Sequence, residues 1–388
     1  MTEIKTIELT PLRLDSIHEV LKSEGPCITL FLPAYRPGEQ AKSMAAILRT
    51  NLQEADRQLR ARNIPESTIA ELLAPLEHLT EEEEFLAGAH CGCAIFRSPA
   101  VFRKFELMGP INPALSVGGS FWVRPILNEA HFPPEFYILR LTKKRISLLR
   151  CAHLRATEMI LPKSIPATAD QVLAFDQPDH DLKNRSVVHS SVGDMGGVSF
   201  GTGSERERQH AYLADFYKAV DRGLTDFLHF NRAPLVLAGV VEDISFYRNV
   251  SAYPYLLEEG IQGSPGGAIF EEELVNRAYE IVRTDGVNRA AAELKEARER
   301  VSPARFLTNI DKIVNAAIAG RVHRLYLDEV ARRSGAWPEL KRGGRSNWGE
   351  EDLMNLAAVE TILQRGLVYS LPPADMPDRS IAAAVLRY

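Results

Sequence analysis

From Cys27 to Tyr35 the chain is continuously apolar over the length of a strand covered on both faces. A helical pattern follows over Met44 to Arg62. There Leu48, Leu52, Ala55 and Leu59 form one stripe opposite arginine, glutamine and glutamate, and the pattern stops before Pro65. Two β runs, Gly92 to Arg97 and Val101 to Leu107, predict a hairpin about Ser98-Pro99.

Further along, the β runs Phe136 to Leu141 and Ile146 to Ala152 are joined by Thr142-Lys143-Lys144-Arg145, a hairpin with a basic tip. Short strands are expected at Glu158 to Leu161 and Ser186 to Val192. Ser204 and Glu207 have capping-box spacing. Leu213, Phe216, Val220, Leu224 and Phe227 recur after them at helical intervals, so a long helix is predicted to begin at Ser204. Pro234 to Val241 is again a wholly apolar strand.

The last part carries helical patterns over Glu271 to Val282 and Arg289 to Arg300. A third helix is expected with Ser302 as N-cap, Pro303 at its first position and Gly320 past its end, striped by Phe306, Ile310, Ile313 or Val314, and Ala317. Strands at Val322 to Leu327, Leu367 to Leu371 and Ile381 to Leu386 alternate with a helix from Glu351 to Arg365. Such alternation predicts an α/β fold. Glycine and proline clusters, Gly109-Pro110 to Gly118-Gly119-Ser120 and Tyr253-Pro254 to Gly263-Ser264-Pro265-Gly266-Gly267, suggest three units: 1–115, 116–257 and 258–388.

Composition narrows the class. With 45% hydrophobic and 25% charged residues, disorder, a collagen repeat and a coiled-coil rod are excluded. No apolar run reaches membrane-spanning length, and the start MTEIKTIELTPLRLD has no apolar core or cleavage site, so a cytoplasmic protein without membrane contact is expected. A net charge of −5 speaks against general polyanion or DNA binding, leaving only local RNA contacts. Cys27, Cys91, Cys93 and Cys151 have neither disulfide-framework nor zinc spacing, and His180 and His189 lack a second ligand at metal spacing. No metal and no cofactor are expected.

The most informative stretch is Gly193 to Gly203, with five glycines in eleven residues. Such freedom, feeding a helix, suits backbone amides presented to an anion or a carbonyl, although a plain surface loop fits equally. Gly197-Val198-Ser199-Phe200-Gly201 matches G-x-S-x-G, so Ser199 with His210 or His229 is a candidate for a small-molecule serine hydrolase. The glycine-rich lead-in and the late helix start argue against that elbow. A Walker loop is rejected because no lysine follows the last glycine. Candidate RNA contacts are Lys143, Lys144 and Arg145 at the hairpin tip, and Arg332, Arg333, Lys341, Arg342 and Arg345 interleaved with Trp337 and Trp348. Solvated turns or a protein-binding surface account for them as well. The acidic run Glu81 to Glu84 reads as a solvated face.

An ordered set of motifs runs through the last two thirds of the chain. It comprises FYILRL-x4-ISLLRC, Phe175-Asp176-Gln177-Pro178, the glycine loop, Tyr217-x3-Asp221-Arg222-Gly223-Leu224, PLVLAGV, Tyr253-Pro254-Tyr255, Gly320-Arg321-Val322 and LVYSLPPADMP. It resembles the bacterial branch of the archaeo-eukaryotic peptide release factor family, relatives of Pelota. The resemblance implies an RNase H-like middle domain and a C-terminal α/β sandwich similar to kink-turn-binding ribosomal proteins. It further implies action on the ribosome, with rRNA and peptidyl-tRNA as partners and a translational GTPase as a further one. It also makes Gly196 and Gly197 candidate active-loop residues. In release factors of this kind a Gly-Gly-Gln loop helps a water attack the peptidyl-tRNA ester. Here Val198 follows the glycines, and the next glutamine downstream is Gln209. Ribosome binding in termination, rescue or hibernation is therefore expected more firmly than hydrolysis.

Overall fold

The computed structural model describes residues 10–12, 14–23, 25–34, 40–82, 85, 92–109, 111–131, 135–142, 145–152, 155–168, 202–230, 232–263, 271–335 and 351–388. They make an α/β protein in two compact units, one from Met1–Pro134 with Arg283–Tyr388, the other from Glu135–Val282.

In the first unit, β1 (Thr10–Pro11), β2 (Cys27–Leu32), β3 (Gly92–Arg97), β4 (Phe102–Leu107) and β5 (Ala114–Gly118) form a sheet in the order β1-β4-β3-β2-β5. β2 is buried along its whole length, which explains why its sequence does not alternate. Helices Gln40–Ala61 and Glu66–His78 cover one face, packing Leu48, Leu52, Leu59 and Leu72 on Ile28, Leu30 and Ile95. The stripe expected from the sequence is the buried one.

The C-terminal half of this unit has β11 (Phe306–Leu307), β12 (Val322–Asp328), β15 (Leu367–Leu371) and β16 (Ala382–Leu386), ordered β11-β16-β12-β15, with β12 and β15 parallel and β16 antiparallel to β11 and β12. A separate two-stranded ribbon pairs β13 (Ser334–Gly335) with β14 (Glu351–Asp352). Alternation along the strands sends Leu325, Leu327 and Ala384 into one core. Tyr326, Ala383 and Val385 go into another, against Ala290 and Leu294. This makes a sandwich with helices on both faces.

The helix Leu353–Leu363 is buried from Leu353 through Ile362 on every side. It packs among Ile313 and Val314 of helix Ile310–Ile318, and among Phe31, Phe96 and Phe121 of the N-terminal part, in one continuous core. Polar clamps accompany the apolar contact. Asn355 donates from Nδ2 to the Phe121 carbonyl and accepts the Val123 amide at Oδ1, each at 2.9 Å. Asn128 donates to the Ser370 carbonyl at 2.7 Å and accepts its amide at 2.8 Å.

Several boundaries differ from the sequence reading. Positions 115 and 257 fall inside β5 and β10 (Leu256–Gln262), and the change from one unit to the other comes at 134/135 and 282/283. The patterns over 271–282 and 289–300 are one helix, Glu271–Arg300, because an interior glycine such as Gly286 costs only about 1 kcal/mol. The helix expected from Ser302 is a 3-10 turn, Pro303–Arg305, then β11, then Ile310–Ile318 capped by Asn309, whose side chain accepts the Lys312 amide at 3.1 Å. Phe306 is thus a strand residue paired with Val385.

The second unit is built on β6 (Glu135–Leu141), β7 (Ile146–Ala152), β8 (Arg155–Glu158), β9 (Leu235–Gly239) and β10, in the order β10-β9-β6-β7-β8. The first three form an antiparallel meander, and β9 and β10 continue it in parallel, the RNase H-like arrangement expected. Helix Thr202–Leu228 buries Phe216, Tyr217, Val220 and Leu224 against this sheet. It starts two residues before Ser204, so Ser204 lies within the first turn and is not the cap. The strand expected at 186–192 lies outside the described residues.

Two outcomes test this account. Replacing Asn355 with alanine leaves a buried amide and a buried carbonyl without partners, and is expected to cost about 2–4 kcal/mol in urea unfolding. Burial pushes the Glu129 carboxyl up to about 7, against the opposing amides of Met108 and Gly109. The folded state then holds this proton more tightly than the unfolded chain, so stability is greatest below the ordinary carboxyl range and falls as pH rises through it toward 7. The expected decline is about 3 kcal/mol, and Glu129→Gln should remove it.

Candidate functional site

Gly196, Gly197 and Ser199 lie outside the described residues, as do Lys143, Lys144, Lys341, Arg342, Arg345, Trp337 and Trp348. What is described is the framework that carries them. The Tyr217 to Leu224 motif turns out to be the fastening of the helix that leaves the glycine loop. Asp221, almost fully buried, accepts from Tyr247 Oη at 3.1 Å, Ser251 Oγ at 2.5 Å and the Ala252 amide at 2.7 Å. Burial and the Asp221 charge push the Tyr247 phenol well up. Burial and the neighbouring Asp243 do the same to Tyr217. Both stay neutral donors. At Gly223 a Cβ would sit 2.7 Å from the Ile165 side chain, so only glycine lets the helix approach that segment. Tyr253, from the Tyr-Pro-Tyr motif, donates to the Ala233 carbonyl at 2.7 Å and fixes the entry to β9.

Arg145 is exposed and paired with Glu158 at 3.1 Å. It stands at a cleft of about 1050 Å³ lined by Met159, Ile160, Leu161, Ile165 and Ala219. Its charge is thus met by a carboxylate on the neighbouring strand β8. His229 is exposed and set edge-on to Phe230.

In the first unit, Arg332 and Arg333 are exposed, and the Arg332 guanidinium lies 5.6 Å from the centre of the Trp122 ring. Trp122 itself packs edge-on against Phe31 at 5.5 Å. The backbone just before these arginines is pinned by Arg124, which is 7% exposed. It pairs with Asp352 at 3.0 Å and donates to the Asp328 and Ala331 carbonyls at 2.8 Å. Asp328 in turn accepts the amides of Val330 and Ala331. The sequence reading grouped the arginines with Trp337 and Trp348 and missed Trp122 and Arg124. No local spacing connects positions more than two hundred residues apart. Among the described residues no group of three or more metal-binding side chains occurs, and no helix is long and apolar enough to cross a membrane.

Residues 135–321, a little under half of the chain, match a family model, and over this stretch the chain is similar to the bacterial archaeo-eukaryotic release factors. The matching description is Bacterial archaeo-eukaryotic release factor family 3. No curated protein matches. Among solved structures the chain is similar to Archaeoglobus fulgidus Pelota, at 12% identity and a TM-score of 0.36, over 98% of this chain and 94% of that one. It is similar to Saccharomyces cerevisiae Dom34, a translation termination-like factor, at 12% identity and 0.34, over 74% and 73%. The archaeal translation termination factor aRF1 is similar at 12% identity and 0.24, over 97% of each.

The framework predicts a clear effect. Gly223→Ala, which drives a methyl into Ile165, should destabilise the Glu135–Val282 unit by about 1–3 kcal/mol in chemical denaturation, with the rest of the chain unaffected.

Proposed function

We propose that this chain is a ribosome-associated, release-factor-like protein acting in termination, rescue or hibernation, and that it occupies the ribosome without hydrolysing peptidyl-tRNA. The observation that carries this reading is the family match over 135–321 taken together with the sequence Gly196-Gly197-Val198. Glycine pairs fit the backbone into a confined RNA site, but valine supplies no group to orient an attacking water. Hibernation or rescue by occupancy suits that chemistry better than catalysis. In this reading rRNA and peptidyl-tRNA contact the Gly196-Gly197 loop, Ser199 is a bystander, and a translational GTPase is a further partner. Lys143, Lys144, Arg332, Arg333, Lys341, Arg342, Arg345 and Trp348 supply local phosphate and base contacts, which explains how a net-acidic chain engages RNA.

Purified protein should cosediment with bacterial ribosomes at low salt and come off as salt rises, with no peptide released from peptidyl-tRNA. Replacing both Gly196 and Gly197 with alanine should weaken ribosome-dependent function at least several-fold, because alanine restricts positive φ and adds bulk, while stability changes by about 1 kcal/mol or less. Absence of cosedimentation at any salt concentration overturns the reading. Efficient peptide release restores the catalytic one.

A further inference from the structure

The C-terminal sheet ends in a row of four arginines. Pairing brings the starts of β11, β12 and β15 and the end of β16 to the same end of the sheet: Val322 lies opposite Leu386, Phe306 opposite Val385, and Arg324 opposite Leu367. One arginine stands at or near that end of each strand. They are Arg305 before β11, Arg387 after β16, Arg321 before β12 and Arg365 just before β15, all exposed. At about 4.8 Å between strands, four neighbouring strands spread the row over about 14 Å.

Their contacts hold position without cancelling charge. Arg305 donates to the carbonyls of Leu386, at 2.9 Å, and Arg387, at 2.8 Å; Arg387 donates to the Gln364 carbonyl; and the Arg387 amide donates to the Arg321 carbonyl. None of the four forms an ion pair with a described side chain. By contrast, Arg298, Arg300 and Arg324 are matched by Asp378, Glu296 and Glu293. The field of the row reaches His323 on β12, whose pKa lies below the ordinary value through burial and through Arg324, Arg387 and Arg305.

A row made only of arginine, with Tyr388 72% exposed beside it and the strand residues Val322 and Leu386 buried, offers guanidinium forks and one aromatic face. It offers no apolar patch of the kind a protein interface has at its centre. We infer that the end of the C-terminal sheet marked by Arg305, Arg321, Arg365 and Arg387 binds the phosphate backbone of RNA. This deepens the ribosome reading and rests on it for the source of the RNA.

The test uses the full chain and a fluorescein-labelled single-stranded RNA of about 20 nucleotides, followed by anisotropy across a salt series. Wild type should bind with a steep salt dependence. The R321Q/R365Q variant should bind about 10-fold more weakly at moderate salt, with a slope shallower by about 1.4. R321K/R365K keeps the charge and should keep the slope. Wild type that fails to bind the RNA overturns the inference. So does an unchanged slope in R321Q/R365Q, an equal loss in the lysine variant, or displacement of the RNA by poly-glutamate of matched length as readily as by unlabelled RNA. If the slope is unchanged while wild type still sediments with ribosomes, this inference fails and the ribosome reading stands. If sedimentation fails while the slope shifts as expected, the ribosome reading fails and an RNA surface remains.

Discussion

The burial of the helix Leu353–Leu363 on all sides is the constraint on which the first unit depends. An amphipathic helix has one apolar stripe and one wet face. This one presents Leu356, Val359 and Ile362 to a core that also contains Phe31, Phe96 and Phe121, more than two hundred residues earlier in the chain. Neither the N-terminal sheet nor the C-terminal sandwich can close that core without the other. The polar members of the helix fit the same logic, because a buried carboxamide is tolerable only when its oxygen and nitrogen are both satisfied. Asn355 achieves this on the backbone of Phe121 and Val123.

The second unit is fastened differently. Its central polar element is Asp221, whose carboxylate gathers a tyrosine, a serine and a backbone amide from the segment around helix Val241–Val250. A buried carboxylate held by three donors is fixed in place. It therefore fixes the helix that begins where the glycine loop ends. The motif that carried the family resemblance thus works through anchoring and close packing at Tyr217, Asp221 and Gly223, one step removed from any chemistry of the loop.

Elements with a single strong period were legible in the sequence. The runs at Cys27, Gly92, Phe136, Leu235 and Val322 are strands, and the stripes at Leu48 and Phe216 are buried helix faces. Punctuation misled where glycine and proline served turns inside a sheet. β5 and β10 lie in the clusters read as linkers, because turn chemistry is the same between strands as between domains. Long-range partnership was not legible at all. Arg124 with Asp352, Trp122 with Arg332 and the arginine row of the C-terminal sheet arise from register and topology, and neither leaves a mark on local spacing.

Charge can be sorted by what each cation faces. Arg60, Arg150 and Arg298 are engaged by carboxylates on the surface, where such pairs contribute little stability but do cancel field. Arg124 is buried and its charge is taken up by Asp352 and two carbonyls. Arg305, Arg321, Arg365 and Arg387 meet only carbonyls or solvent among the described residues, so their field extends outward. A net charge of −5 therefore says little about this end of the sheet. Within about 8 Å, the Debye length at physiological salt, a polyanion responds to the local row and not to the distant carboxylates. Binding through such a surface is necessarily local and sensitive to salt. That fits a protein engaging RNA at defined points of an assembly better than one that coats nucleic acid at large.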